Sequence, residues 1–335
     1  MRITYGYIMR RLLLFVVIAW LAASINFFIP RMAPGDPVTA VLNRMDQQGM
    51  YMQEHADLIE AYRQRFGLDE PLHMQYLSFL RNMMTFDLGY SLTYYPTPVL
   101  YLIMRSLPWS IALLSISVAL TFTIGVSLGA VMGWRATPRA IRRFLPSITI
   151  FAAIPSYLMA LVFIYVFVVG LRWFPSGRGH AYDIQVAFTW EFITNAAHHA
   201  VLPVASIVVV GLGGWALGMR GMMITITDED YLILARAKGL SRARIFWRYA
   251  VRNAMLPQVT GLAMALAGVV SGSVLVESWF AYPGIGYTLY NAIRDTDYTL
   301  IQGITFVMVM ATALAVLIID LVYPWLDPRI TYERK

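Results

Sequence analysis

The chain has no cysteine, only two lysines, and charged residues at just 13% of its 335 positions. The missing cysteines exclude disulfides, thiolate metal sites and cysteine nucleophiles. The shortage of lysine is equally restrictive. A phosphate-binding loop ends in Gly-Lys-Ser/Thr, with the lysine and backbone amides holding the phosphates, and neither Lys238 nor Lys335 stands in that context. No catalytic residue is therefore assigned, and any ATPase must be a separate subunit. With 59% hydrophobic residues and a mean hydropathy of +0.60, charge this sparse cannot clothe a water-solvated surface.

What is present in its place is long apolar sequence. Charge-free runs occupy 12–30, 106–134, 144–171, 192–219, 253–276 and 298–319, each with roughly the 18 or more residues that a helix needs to cross the hydrocarbon. The runs are continuously apolar, without the alternation and short length of barrel strands. They predict an all-α polytopic membrane protein with six transmembrane helices. The first run follows Arg10 and Arg11 but is long for the apolar part of a signal peptide, and it is read as a crossing. Carboxylates inside the spans are nearly absent: Glu277 and Asp320 both sit at span ends. That disfavours an ion-coupled secondary carrier, which commonly uses buried carboxylates.

Lys and Arg in alternate loops set the orientation. An inward N-terminus places 17 of the 26 basic residues in the cytoplasm, including Arg135, Arg139, Arg142, Arg143 and the group from Arg220 to Arg252, and leaves both termini there. The chain then divides into an N-terminal tail and first span (1–30), an outer segment (31–105) and a core of five spans (106–335). In the outer segment Leu58, Ile59, Tyr62 and Phe66 recur at helical spacing before Gly67, and several prolines divide the rest, which predicts a small subdomain of two or three helices. All five histidines fall on the outer side. The neighbours His198 and His199 point about 100° apart on a helix, so they are read as interfacial side chains and no metal site is assigned.

Glycines at intervals of four mark close helix contacts, since small residues let backbones approach where lipid gives no hydrophobic drive to pack. The spans carry Gly125, Gly129 and Gly133, then Gly214 and Gly218, then Gly268 and Gly272. Packing and gating by sliding helices need the same small side chains.

The stretch DYLILARAKGLSRARIFWRYAVRNAMLP, 230–257, holds six of the basic residues and lies in the cytoplasmic loop 220–257. Asp228 and Asp230 are candidate N-caps, and Tyr231, Leu234 and Leu232 are candidates for one face of a short helix. Ala235, Ala237 and Gly239 keep that helix slim. Gly239 ends it, Ser241 caps a second, and Ile245, Tyr249 and Arg252 continue toward Pro257. Topology and anionic lipid account for part of the charge, nucleic acid is a poor partner for basic residues tied into so short a loop, and a slim helix suits a groove in a soluble protein.

Asp230-Tyr231, Ala235 to Ser241, Arg252-Asn253-Ala254 and Leu256-Pro257 resemble the EAA-type loop of ABC importer permeases, in the version of the dipeptide/oligopeptide/nickel branch. Other matches follow in order: Pro34-Gly35-Asp36-Pro37, Gly67-Leu68-Asp69-x-Pro71-Leu72, Asp87-Leu88-Gly89-x-Ser91, Gly272 to Glu277, Pro283-Gly284-Ile285-Gly286, and Leu326 to Ile330. Departures are Ala33 for a leucine, Tyr249 for a frequent histidine and Val316 for a common asparagine.

The resemblance implies a type I ABC importer permease in a prokaryotic inner membrane, with a second homologous permease, two cytoplasmic ATPases and an outer substrate-binding protein. It implies no cofactor on this chain, ATP and Mg being held by the ATPases. Asp230, Tyr231, Ala235, Arg236, Ala237, Lys238, Gly239, Leu240 and Ser241 would form the coupling helix seated in an ATPase groove, backed by a second helix with Arg248, Arg252, Asn253 and Pro257. Arg236 and Lys238 would pair with acidic groups there. Gly125, Gly129, Gly133, Gly268 and Gly272 would serve packing or gating. Within the branch peptides are the expected substrate, with nickel and oligosaccharides as alternatives, and Trp109, Ser110, Tyr157 and Tyr165 are candidate pathway residues. The competing classes are a secondary carrier and a scaffold without transport.

Overall fold

The computed structural model describes residues 5–32, 70–143 and 145–326. The expected outer helix through Leu58 and Phe66, the Pro34–Pro37 and Gly67–Asp69 motifs and the tail from Asp327 onward lie outside the described residues. The described chain is all-helical, with an isolated antiparallel bridge between Tyr90 and Pro98. Its helices are α1 (Tyr5–Met32), α2 (Leu72–Met84), α3 (Val99–Gly133), α4 (Arg139–Arg143), α5 (Leu145–Ala152) and α6 (Ser156–Gly170). They continue as α7 (Trp190–Ile226), α8 (Asp230–Ala237), α9 (Arg242–Ser271), α10 (Val274–Trp279), α11 (Ile285–Arg294) and α12 (Tyr298–Leu326).

Among the described residues five helices, α1, α3, α7, α9 and α12, are long and apolar enough to cross a membrane. The expected third crossing, 144–171, differs in form. It is broken after Ala152 into α5 and α6, because Pro155 has no N–H to continue the ladder and starts the next helix. The last seven residues of α6, Ile164–Gly170, widen into a π turn. Proline elsewhere is absorbed: Pro108, Pro203 and Pro257 lie inside α3, α7 and α9, as membrane helices tolerate where nearby groups re-satisfy the freed carbonyl.

The chain forms two compact units, Met1–Pro108 with Gly284–Ile318 and Trp109–Pro283 with Ile319–Lys335. In the first, Val99, Ile103, Ile285, Leu300 and Ile304 are fully buried together. A side chain on Gly303 would run into Val99 Cγ1, so glycine sets the approach of α12 to α3. Two reciprocal bonds join α1 to α12: Asn26 Nδ2 donates to the Gln302 carbonyl (2.6 Å) and Gln302 Nε2 to the Asn26 carbonyl (3.1 Å). Asp297 is wholly buried at the start of α12 and accepts from Leu300 N (3.0 Å), Thr93 N (3.0 Å) and Ser91 Oγ. The Asp87-Leu88-Gly89-x-Ser91 motif is thus pinned to α12, with Gly89 turning at φ 72°.

The second unit is organised on α7, against which α5, α6 and α9 pack. Thr189 caps α7, its side chain accepting from Phe192 N at 3.3 Å. Three glycines of α3 set the α3–α7 contact. A Cβ on Gly125 would lie 2.6 Å from Trp215 Cβ, one on Gly133 2.6 Å from Met223 Cβ, and one on Gly129 would meet the Ala216 carbonyl. The expected pairs farther along divide differently. Gly218 faces Gln258, while Gly214 and Gly268 have open space; the neighbouring Gly213, outside the expected set, faces Ala152. Gly272 is a turn at φ 70° that ends α9.

Candidate coupling site

The loop after α7 is shaped by its caps. α7 ends at Ile226, and the Thr227 hydroxyl donates back to the Met223 carbonyl at 2.6 Å. Asp228, an expected N-cap, is instead paired with Arg135 from the opposite inter-helix loop, Nη1–Oδ1 and Nη2–Oδ2 both 3.0 Å. The residue at the cap position is Glu229, in extended conformation and without a side-chain cap bond, and Asp230 lies in the first turn, where its charge favours the helix N-terminus.

The end of α8 follows the sequence closely. Lys238 is the C-cap and Gly239 takes φ 72°. Gly239 N donates to the Arg236 carbonyl (2.9 Å) and Leu240 N to the Ala235 carbonyl (3.3 Å), the paired bonds of a Schellman ending. Ser241 then caps α9, its hydroxyl accepting from Arg244 N at 3.4 Å. The first turns of α9 widen over Ile245–Val251 into a π segment before regular helix resumes at Arg252.

Burial corrects the expected faces of α8. Leu232 and Ala235 are buried against Met219, Met223, Ile226, Ile245, Ala250 and Ala254. Tyr231 is half-buried on the same cluster. Leu234, expected on one face with Tyr231 and Leu232, is instead 54% exposed, and Ile233 53%. Ala235 therefore holds α8 to its own chain, and the outward surface comprises Ile233, Leu234, Arg236, Ala237, Lys238 and Gly239. Arg236 Nη2 reaches the Thr227 carbonyl at 3.4 Å. In α9 Arg248, Arg252 and Pro257 are exposed, while Asn253 Nδ2 bonds the Tyr249 carbonyl at 2.8 Å. Two apolar side chains and two cations thus stand beside a tight turn.

A second polar centre was read from sequence as a span end. Glu277 is fully buried; its Oε1 accepts from Ser110 Oγ (2.9 Å) and Ser273 N (2.9 Å). Ser110, a candidate pathway residue, is thus committed to a buried bond. Burial first and the Glu277 carboxylate second push the Tyr282 phenol above its usual pKa. Trp109 packs on His180, Phe192 and Tyr282, and Tyr165 is exposed. Tyr157 packs against a buried cluster around Leu113 and Ala160. His198 leans on Phe174, and the Nδ1 of His199 lies 2.9 Å from the Asn195 carbonyl. Among the described residues no group of three His, Cys, Asp or Glu side chains is placed to hold a metal. The sequence signal for Glu277 is its place at the end of the Gly272 to Glu277 motif, whereas nothing in the sequence marks Asp297. Each has one donor close by, Ser273 N and Leu300 N, and the others, Ser110 for Glu277 and Ser91 and Thr93 for Asp297, lie far off in the chain.

Membrane-long apolar helices with a short capped helix between two of them define a polytopic membrane protein. Residues 125–332 match the family of binding-protein-dependent transport system inner membrane components, and residues 4–114 match the N-terminal region of such components. The chain belongs to this family. It is 31% identical over 327 residues to the oligopeptide transport system permease protein AppB of Bacillus subtilis, covering 98% of this chain and 99% of that protein. It is 31% identical to the oligopeptide permease OppB of Haemophilus influenzae (97% and 99% covered) and 28% to the dipeptide permease DppB of B. subtilis (98% and 99%). The protein is a multi-pass inner-membrane permease of an ABC transporter and not itself an enzyme. Such permeases carry no cofactor and act with ATPase and binding-protein subunits.

Proposed function

We propose that this chain is one of two homologous pore-forming subunits of a peptide importer, paired with two cytoplasmic ATPases and fed by an outer binding protein. Likeness to peptide permeases over almost the whole chain carries the substrate reading. In this reading α5 and α6 supply the sixth crossing: together they reach roughly 35 Å at about 1.5 Å per residue, enough for a hydrocarbon core of about 30 Å. Both termini then lie in the cytoplasm, as the basic residues favour. Residues 1–30, 31–105 and 106–335 act as first span with tail, outer receiving segment and translocation core.

α8 is the coupling helix. The outward Ile233, Leu234 and Ala237 enter an ATPase groove, and Arg236 and Lys238 meet its acidic rim. Tyr231, Leu240, Ser241, Arg248, Arg252, Asn253 and Pro257 hold that surface on α9, so closure of the ATPases moves α7 and α9 as rigid levers. Gly125, Gly129 and Gly133 are the contact across which α3 and α7 shift. Reconstitution of this permease with its second permease, ATPases and binding protein tests the reading. ATP-dependent accumulation of labelled tri-alanine without an ion gradient is expected; accumulation of nickel or an oligosaccharide alone would replace the substrate, and uptake that follows an ion gradient without ATP would reject the importer.

A further inference from the structure

Gly214, Gly218 and Gly221 follow one another at intervals of four and three and so share one face of α7. All three are exposed, and a Cβ on Gly214 or Gly221 would meet nothing within 4 Å. Gln258 of α9 lies over this face: its Nε2 and Oε1 each stand 3.4 Å from the Cβ position of Gly218. Gln258 is 8% exposed, yet neither end of its amide has a hydrogen-bond partner among the described residues. Every fully covered side-chain nitrogen or oxygen among those residues does have one, so the amide opens onto the glycine face.

A carboxamide on a largely buried side chain, with both ends open to the glycine face and bonded to no other described group, is free to bond a partner from outside the chain. Its acceptor oxygen and two N–H donors match the N–H and C=O of a peptide bond. Lipid tails offer neither group. A neighbouring transmembrane helix has its main-chain groups already paired within itself, whereas an extended peptide brings them free. Glycines on the opposing wall let such a backbone come close.

We infer that Gln258, with the glycine face of α7, is a main-chain contact for the transported peptide in the cytoplasmic half of its path. The inference rests on the peptide reading above. It goes further by placing recognition on the backbone, which every peptide shares, rather than on side chains.

The test uses the complete reconstituted transporter. Gln258→Leu keeps shape and removes both bonding ends; co-purification of all subunits checks assembly. Tri-alanine moved per ATP is expected to fall about five- to ten-fold, the scale of one or two lost hydrogen bonds. Tri-alanine methylated on a backbone nitrogen, already poorer in the wild type, should lose little more. A structural role would lower both peptides equally, and that result overturns the inference. In a second arm Gly214→Cys and Gly221→Cys, which have room for the side chain, are turned over with Ala-Lys(bromoacetyl)-Ala. An adduct on this chain at these positions and not at Val201→Cys is expected. Absence of the adduct, or cross-linking of these cysteines to the second permease instead, overturns it while tri-alanine uptake leaves the peptide reading intact. If the wild type takes up no tri-alanine, the peptide reading fails and the inference falls with it.

Discussion

At Gly129 the backbone of α3 lies so close to α7 that a Cβ would strike the Ala216 carbonyl and sit 2.9 Å from Met219 Cβ. Gly129→Val must push two helices apart, and overpacking of this kind costs about 1–3 kcal/mol. The melting temperature of the purified complex should fall for Gly129→Val and hold for Gly268→Ala, where the space is open. Asp297 is the other residue on which local order depends. Asp297→Ala orphans Ser91 Oγ, Thr93 N and Leu300 N together, at a cost of about 2–4 kcal/mol. Asp297→Asn, which keeps an acceptor, should recover part of that loss in the same melt. The two residues differ in how far sequence announces them. A glycine every fourth position in an apolar run is a local pattern, so Gly125, Gly129 and Gly133 were legible. Gly268 and Gly272 fit the same pattern and have other surroundings, because spacing reports which residues share a face but not what the face meets. Asp297 has one donor in its own helix start, Leu300 N, but Ser91 and Thr93 lie some 200 positions away, and no window of sequence contains them.

At the scale of the element, the ends of α8 were easier to foresee than its faces. Gly239 and Ser241 act through their own turn, one by φ 72° and one by its hydroxyl, so their chemistry is written next to the ends they fix. The face was ambiguous because Leu232, Ile233 and Leu234 are consecutive apolar residues in a helix of eight, and periodicity over two turns cannot choose among them. Tertiary packing chose Leu232 with Ala235. The choice separates two kinds of variant. Leu234→Glu alters an exposed position; the complex should assemble with near-normal yield and lose stimulation of its ATPase by loaded binding protein. Ala235→Glu forces a carboxylate into the cluster around Met219 and Met223, so assembly itself should fail. If Leu234→Glu and Ile233→Glu both kept full stimulation, α8 would not be the docking surface. Gly239→Val adds a third case: about 1–2 kcal/mol of backbone strain in the left-handed region should lower the melting point, with Gly239→Asn intermediate.

For the whole molecule, the count of crossings decides which compartment receives each loop, and α5 with α6 is the pair on which that count turns. Composition made the membrane class legible, since 13% charge leaves no alternative surface. Hydropathy alone read 144–171 as one uniform run, because Pro155 barely changes an average while it breaks a helix. If the broken pair crosses, Ala136 and Lys238 share the cytoplasm and Tyr182 lies outside. If it turns back, Tyr182 falls on the side of Ala136. The absence of native cysteine makes the question directly measurable. Ala136→Cys, Lys238→Cys and Tyr182→Cys, all at exposed positions, can be treated in intact cells with a membrane-impermeant maleimide. Only Tyr182→Cys should label before permeabilisation, and all three after it. With Ala136 in the cytoplasm, labelling of Lys238→Cys in place of Tyr182→Cys would mean that α5 and α6 re-enter rather than cross; labelling of Ala136→Cys and Lys238→Cys without Tyr182→Cys would reverse the orientation, and either result would remove α8 from any cytoplasmic ATPase.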